Sequence, residues 1–177
     1  TLVIAAGAAA AWSSSAIGSP TPDSPRIMIV GGVNPTKPGA VMLYTFKRSR
    51  LLSKLARTKP DEEFQAVLVL RQFASPHDVN RIIGEYGLIP KELFVAIPDD
   101  DYRGGMVLDG LTTEEALQLH ARGLGAMALR LGPEAQEDIV ADASLAEQGY
   151  LKPYAVLVAG KAQDLARSRS DRLVRLV

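Results

Sequence analysis

Four carboxylates lie close together in "IPDDDYRGGMVLDG": Asp99, Asp100, Asp101 and Asp109, with Arg103 among them. Such oxygen-rich stretches can hold calcium when a loop offers acidic or amide groups at its alternate early positions, a glycine at its bend and a carboxylate at its end. Counted from Asp99, Arg103 falls at the third ligand position and Gly110 at the last. The pattern fails where the ion needs oxygen. A solvated acidic turn is the reading that remains, and no metal site is assigned.

The two histidines, His77 and His120, are the groups that titrate nearest neutral pH. His77 belongs to the first turn of one helical pattern and His120 to the middle of another. There is no cysteine, so zinc sites of the cysteine-histidine kind are excluded. No G-x-S-x-G elbow supplies a nucleophile for His120 to serve. Both read as surface or packing residues. Gly31 and Gly32 in "IVGGVNPTKPG" follow a strand-like run and have Lys37 nearby. A phosphate cradle needs glycines at fixed spacing and a helix N-terminus behind them. Neither the Walker spacing nor G-x-G-x-x-G is present, so the stretch reads as a turn. No cofactor is assigned.

The elements that would position these groups are easier to read. "AVLV" occurs twice, at residues 66–69 and 155–158, followed by "DVNR" and "DLAR". The first copy lies in "EEFQAVLVLRQF", apolar on both alternations, as a strand covered on both faces must be. In "SPHDVNRIIGEYG", Ser75 is placed to cap a helix, Pro76 to open it and Gly87 to stop it, with Val79, Ile82, Ile83 and Tyr86 along one face. "KELFVAIP" follows as a strand. The second copy runs "KPYAVLVAG", then a short helix "KAQDLARSRS", then a strand "RLVRLV".

Strand, helix, strand, twice over, predicts an α+β domain: a four-stranded antiparallel sheet in a ferredoxin-like βαβ-βαβ sandwich, with the two AVLV strands adjacent at its centre. Between the units lies a helical insertion, residues 99–149. "LTTEEALQLHARGLGAMALRLG" opens with a capping-box pattern at Thr112 and Glu115 and carries Leu117, Leu124 and Leu131 on a narrow stripe. Gly132 and Pro133 break the helix, "PEAQEDIVADASLAEQG" restarts it, and Gly149 stops it. The two central strands are apolar on both faces, and their own helices cover only one, so the insertion is expected to cover the other; the alternatives are that a partner or the N-terminal segment covers it and the inserted helices fold against each other as an arm.

Ahead of the units, "PRIMIVGGVNPTKPGAVMLYTF" offers two apolar runs around a Gly/Pro loop and reads as a hairpin. "KRSRLLSKLARTK" reads as a short basic helix whose Leu51, Leu52 and Leu55 pack inward. The same amphipathic pattern would suit an anionic membrane surface, but three leucines give little membrane area.

With "FQAVLVLRQFASPHDVNRIIGEYGLIPKELFVAI" and "YAVLVAGKAQDLARSRSDRLVRLV" in view, the pattern resembles the propeptide and inhibitor modules of subtilisin-type proteases over about a third of the chain. Those modules also run strand, helix, strand twice. The resemblance implies the ferredoxin-like fold and a protein partner. The insertion, and an end at Val177 without a tail for a protease cleft, depart from that pattern.

The chain has 177 residues and a formal net charge of zero, enough for one cored domain and no argument for nucleic acid. The charge is nevertheless blocked: no acid stands between Arg26 and Lys59, acids dominate from Asp61 to Glu147, and the tail is basic. Residues 1–25 form an apolar leader or anchor and a Pro-rich linker. The run "LVIAAGAAAAW" has the length of a signal-peptide core and falls short of the roughly 20 residues that cross a bilayer. Ser14 and Ala16 suit a cleavage site, and an Ala-rich helix of the domain itself is the alternative. Because Thr1 rather than Met opens the sequence, a basic segment or the first half of a span is expected before it. Residues 26–177 are then one domain.

Two functions follow as expectations. One is a non-catalytic protein-interaction module, exported or membrane-tethered and in one variant a subunit of a membrane complex, that binds another protein by the sheet's edge or by the inserted helices. The alternative is a small-ligand-binding or enzymatic domain, with a site between the inserted helices and the sheet served by Asp99, Asp100, Asp101, Arg103 and His120. No pair among these has a spacing that names a reaction.

Overall fold

The structure, a computed structural model, describes residues 38–98, 100, 102–130 and 133–177. The leader, the linker, the Gly31-Gly32 turn, Asp99, Asp101, Leu131 and Gly132 lie outside the described residues. Ten elements follow one another: α1 (Pro38–Thr58), β1 (Glu63–Leu70), α2 (Pro76–Glu85), β2 (Ile89–Ala96), β3 (Arg103–Val107), α3 (Thr113–Ala128), α4 (Pro133–Glu147), β4 (Lys152–Lys161), α5 (Ala162–Ser168) and β5 (Val174–Leu176). The strands form one antiparallel sheet of five in the order β3-β2-β4-β1-β5.

The two expected strand-helix-strand units are present, and their first strands, β1 and β4, are neighbours. The two AVLV copies pair with each other, Ala66 with Val158, Val67 with Leu157, Leu68 with Val156 and Val69 with Ala155. Since side chains alternate along a strand, Ala66 shares a face with Val156 and Val158, while Ala155 faces the other way. The repeated letters are out of phase with the repeated structure. A run apolar on both faces tolerates that shift.

The first face carries the core. Leu68, Leu93, Val95, Val156 and Val158 are fully buried with Val79 and Ile82 of α2 and Leu165 of α5. Gly160 shows how tightly the helical layer sits, because a Cβ there would come within 2.7 Å of Leu88 Cδ2 and 3.8 Å of Leu165 Cγ. Helix α2 starts as its sequence demands: Ser75 Oγ accepts from the Asp78 N–H, and the Asp78 side chain reaches back to the Ser75 N–H, a capping box in which Asp stands where Glu is usual. Gly87 ends it with φ of 62°, a left-handed conformation that costs a glycine least.

Arg81 of α2 and Asp171, in the turn before β5, tie the two units together. The guanidinium donates from both terminal nitrogens to the carboxylate, at 2.8 and 3.2 Å, and also to Glu85. This hydrogen bonding holds the Asp171 carboxyl below its ordinary range even though burial pushes the other way.

Three expectations are corrected. The sheet has a fifth strand, β3, inside the stretch read as an acidic turn. The second arm of the expected hairpin is helical, because α1 begins at Pro38 and runs unbroken through the basic segment. It packs on α5, with Leu52 buried in the core. Third, the insertion does not cover the second face. Met106 and Gly104 of β3 pair with Leu93 and Val95, so they share the core's face. There His120 of α3 comes within 2.9 Å of where a Gly104 Cβ would be. Helix α3 therefore lies on the same side as α2, which it also touches, and α4 packs on α3.

Candidate functional site

The polar residues that converge do so at the margin of the sheet, between β3 and α3. Asp100 begins the arrangement: its Oδ1 accepts from the Tyr102 N–H at 2.9 Å, and its carbonyl accepts from Arg103 at 2.7 Å. This turn brings Tyr102 up over β3 toward α3. The Tyr102 hydroxyl and His120 Nε2 form a hydrogen bond. Gly104 lets them lie on the strand, since a Cβ at that position would come within 2.6 Å of the hydroxyl oxygen and 2.9 Å of Nε2. The first glycine of the "GG" therefore leaves room for the couple where it lies, and a side chain there would displace it.

Burial sets the protonation. It pushes the Tyr102 phenol up to about 12, with the Asp142 carboxylate adding to the rise. It lowers His120, whose charged form loses solvent there. At neutral pH the phenol keeps its proton and the imidazole is uncharged, so the Tyr102 O–H donates to Nε2. The couple can hold a further polar group through the phenol's spare lone pair and the remaining imidazole nitrogen. A phenol this weakly acidic is not a nucleophile at neutral pH, and a desolvated imidazole is a weakened base.

Around the couple lies an apolar groove of about 540 Å³, lined from the strand side by Arg103, Met106 and Val107 and from the helix side by Ala116, Leu119, Gly123, Leu124 and Met127, with Leu111 at one end. Four of these are large and exposed: Val107 at 68%, Leu119 at 59%, Met127 at 48% and Leu111 at 36%. A second groove, of about 470 Å³, lies where the start of α2 meets α3 and the end of α4. Its walls include Glu114, Arg122 and Glu147, with no buried polar couple among the described residues.

The expected site residues are only partly united. Arg103 and His120 line the same groove. Asp100 serves the turn with its side chain and carbonyl. Asp109 stands beyond the far end of β3, so an extended strand separates carboxylates that a calcium loop would fold around one ion. Among the described residues no group of three or more acids and histidines is placed to hold a metal. His77 is exposed in the first turn of α2, apart from the groove. The sequence reading missed Tyr102 and Gly104. The strand sets Tyr102, Gly104 and Met106 on one side and Arg103, Gly105 and Val107 on the other, an alternation that the two glycines hide in the sequence.

No family model matches the chain, and neither the curated proteins nor the solved structures contain a significant match to it. Among the described residues no helix is long and apolar enough to cross a membrane.

Proposed function

We propose that the chain is a non-catalytic protein-interaction module on a ferredoxin-like frame. In this reading β1-α2-β2 and β4-α5-β5 are the two units, interleaved as β2-β4-β1-β5, and β3, α3 and α4 are the insertion that carries the working surface. The observation that carries it is the gathering of the exposed Leu111, Leu119 and Met127 around one groove beside β3, an edge strand whose Val107 is exposed as well. Exposed apolar side chains scattered singly need no explanation, but a contiguous set beside an open strand edge is a contact surface. A partner protein is the occupant proposed.

The experiment is affinity capture with the full chain and with Leu119→Asp. The wild type is expected to retain a protein that the variant loses, and an identical retained set would end this reading. The further proposal that the module is extracytoplasmic or membrane-tethered rests on the apolar sequence of residues 2–12. Fractionation of cells expressing the full-length gene tests it. A soluble cytoplasmic product with an intact N-terminus would remove the tether.

The convergence of Tyr102, Arg103 and His120 on an apolar groove supports a second reading, a small-ligand site. Native mass spectrometry separates the two. A small molecule retained by the wild type and lost in Tyr102→Phe favours the ligand reading.

A further inference from the structure

We infer that the groove between β3 and α3 is a slot for one added strand, occupied by an extended peptide running antiparallel to β3. The peptide carries apolar residues at alternate positions, a basic residue toward its N-terminal end and an acidic residue toward its C-terminal end. This inference rests on the interaction reading above and names the partner's chemistry.

The ladder between β2 and β3 sets the edge. The Leu108 N–H donates to the Lys91 carbonyl at 2.9 Å, and the pairing continues without a register shift from Glu92 with Val107 to Ala96 with Arg103. In an antiparallel pair every second residue turns its main-chain groups toward the partner. Gly104, Met106 and Leu108 therefore face β2, and Arg103, Gly105 and Val107 face outward. Among the described residues no hydrogen bond reaches these outward groups. Of the usual guards of an edge the strand has its shortness and one charge, Arg103 at its start; it has no proline, no lysine and no register shift, and two of its five residues are glycines.

The roof of the slot is α3. Leu119, Gly123 and Met127 recur at helical spacing along the groove, and nothing lies within 4 Å of where a Gly123 Cβ would be. A strand laid beside β3 turns every second side chain to this roof. The exposed Leu119 and Met127 would cover those side chains, and the flexible methionine adapts to their shape. Main-chain hydrogen bonds to the edge supply affinity and the groove supplies selection, the division of labour of strand addition.

Charge sets the direction. Arg103 is exposed at the start of β3, held there by hydrogen bonds from one terminal nitrogen to the Asp100 and Tyr102 carbonyls. Asp109 is exposed beyond the other end. A peptide antiparallel to β3 has its C-terminal end beside Arg103 and its N-terminal end toward Asp109, so acid and base fall opposite their counterparts. A parallel peptide of the same sequence would set like charges together.

The test is fluorescence anisotropy of the full chain with a labelled seven-residue peptide, KVTVTVE, against the same peptide with its end charges exchanged, EVTVTVK, and a proline version, KVTPTVE. KVTVTVE is expected to saturate at least tenfold more tightly than either control. Two variants guard against misfolding. Val107→Pro removes an outward N–H, which an edge strand tolerates, and is expected to weaken binding at least tenfold with the unfolding midpoint nearly unchanged. Gly123→Leu fills the slot while improving the helix, and is expected to block binding with the midpoint unchanged or raised. Equal binding of the three peptides, no saturation with any of them, or binding that survives both variants would overturn the inference. So would a dimeric full chain that Gly123→Leu makes monomeric, because a second copy would then fill the slot. If the peptides fail while Leu119→Asp still loses a captured protein, the interaction reading stands without strand addition. If the capture also fails, both fall.

Discussion

The centre of the sheet and its β3 margin are built from the same kinds of residue and handle them in opposite ways. At the centre, Leu68 and Val158 are 0% exposed under α2 and α5, and the Arg81–Asp171 pair pins the two units together. At the margin, two glycines replace side chains on the strand, and Leu119 and Val107 remain largely in solvent. Burial is what converts an apolar side chain into stability. A residue that stays exposed in the folded chain contributes little to folding and is left available for contact. Apolar pattern alone does not distinguish the two regions; the cover does.

The contrast is sharpest in a pair of truncations. Leu68→Ala should cost about 2–5 kcal/mol, since it opens a cavity in a packed layer, whereas Leu119→Ala should stay within about 0.5 kcal/mol. Urea unfolding midpoints measure both, and similar costs for the two would break the comparison.

Asp171 gives a smaller effect with a defined pH signature. Asp171→Asn leaves Arg81 facing a neutral amide and should cost about 1–3 kcal/mol, reduced because the Arg81 side chain is 33% exposed. The carboxyl's folded value lies below its ordinary 3.8. Its contribution is therefore present above that value and is lost as pH falls through the folded one. Wild type and variant should converge in stability under acid and separate above about pH 5. A constant gap from acid to neutral pH would show that packing, rather than charge, carries the effect.

How much of this was legible followed from how local each signal was. Helix α2 could be read because Ser75, Pro76, Asp78 and Gly87 act within its own turns. β1 and β4 could be read because a two-sided apolar run has few other homes. β3 could not, because two of its five residues have no side chain and so show no alternation, and acids flank it. In α1 the run "AVMLYTF" looks like a strand by itself. No glycine or proline separates it from the basic helix that follows, so once started the helix continues through it. The destination of the insertion was the least legible. Its apolar stripes show that α3 and α4 bury something, but which face receives them depends on β3, α2 and the register of Gly104 against Val95. The site inherited that limit. Arg103 and His120 were nameable from their chemistry, whereas Tyr102 gained its role only when β3 placed it beneath α3.

The smallest effect expected belongs to that couple, and it tests whether the margin is built or merely left over. Burial lowers the His120 pKa below 6.5, so between the folded value and 6.5 the unfolded chain binds more protons than the folded one. Stability should therefore rise with pH across that window and level off above it. His120→Gln removes the titration and should flatten the slope. Tyr102→Phe removes the donor to Nε2 at a cost of about 1 kcal/mol, while the imidazole stays desolvated and the slope persists. Guanidinium unfolding between about pH 5 and 7.5 reads both. If His120→Gln leaves the slope intact, the imidazole is solvated in the folded chain and the couple does not order the margin. If the slope vanishes with His120 and survives Tyr102→Phe, the groove has a floor whose protonation is set by the fold. That would separate it from a bare apolar patch even before any partner is bound.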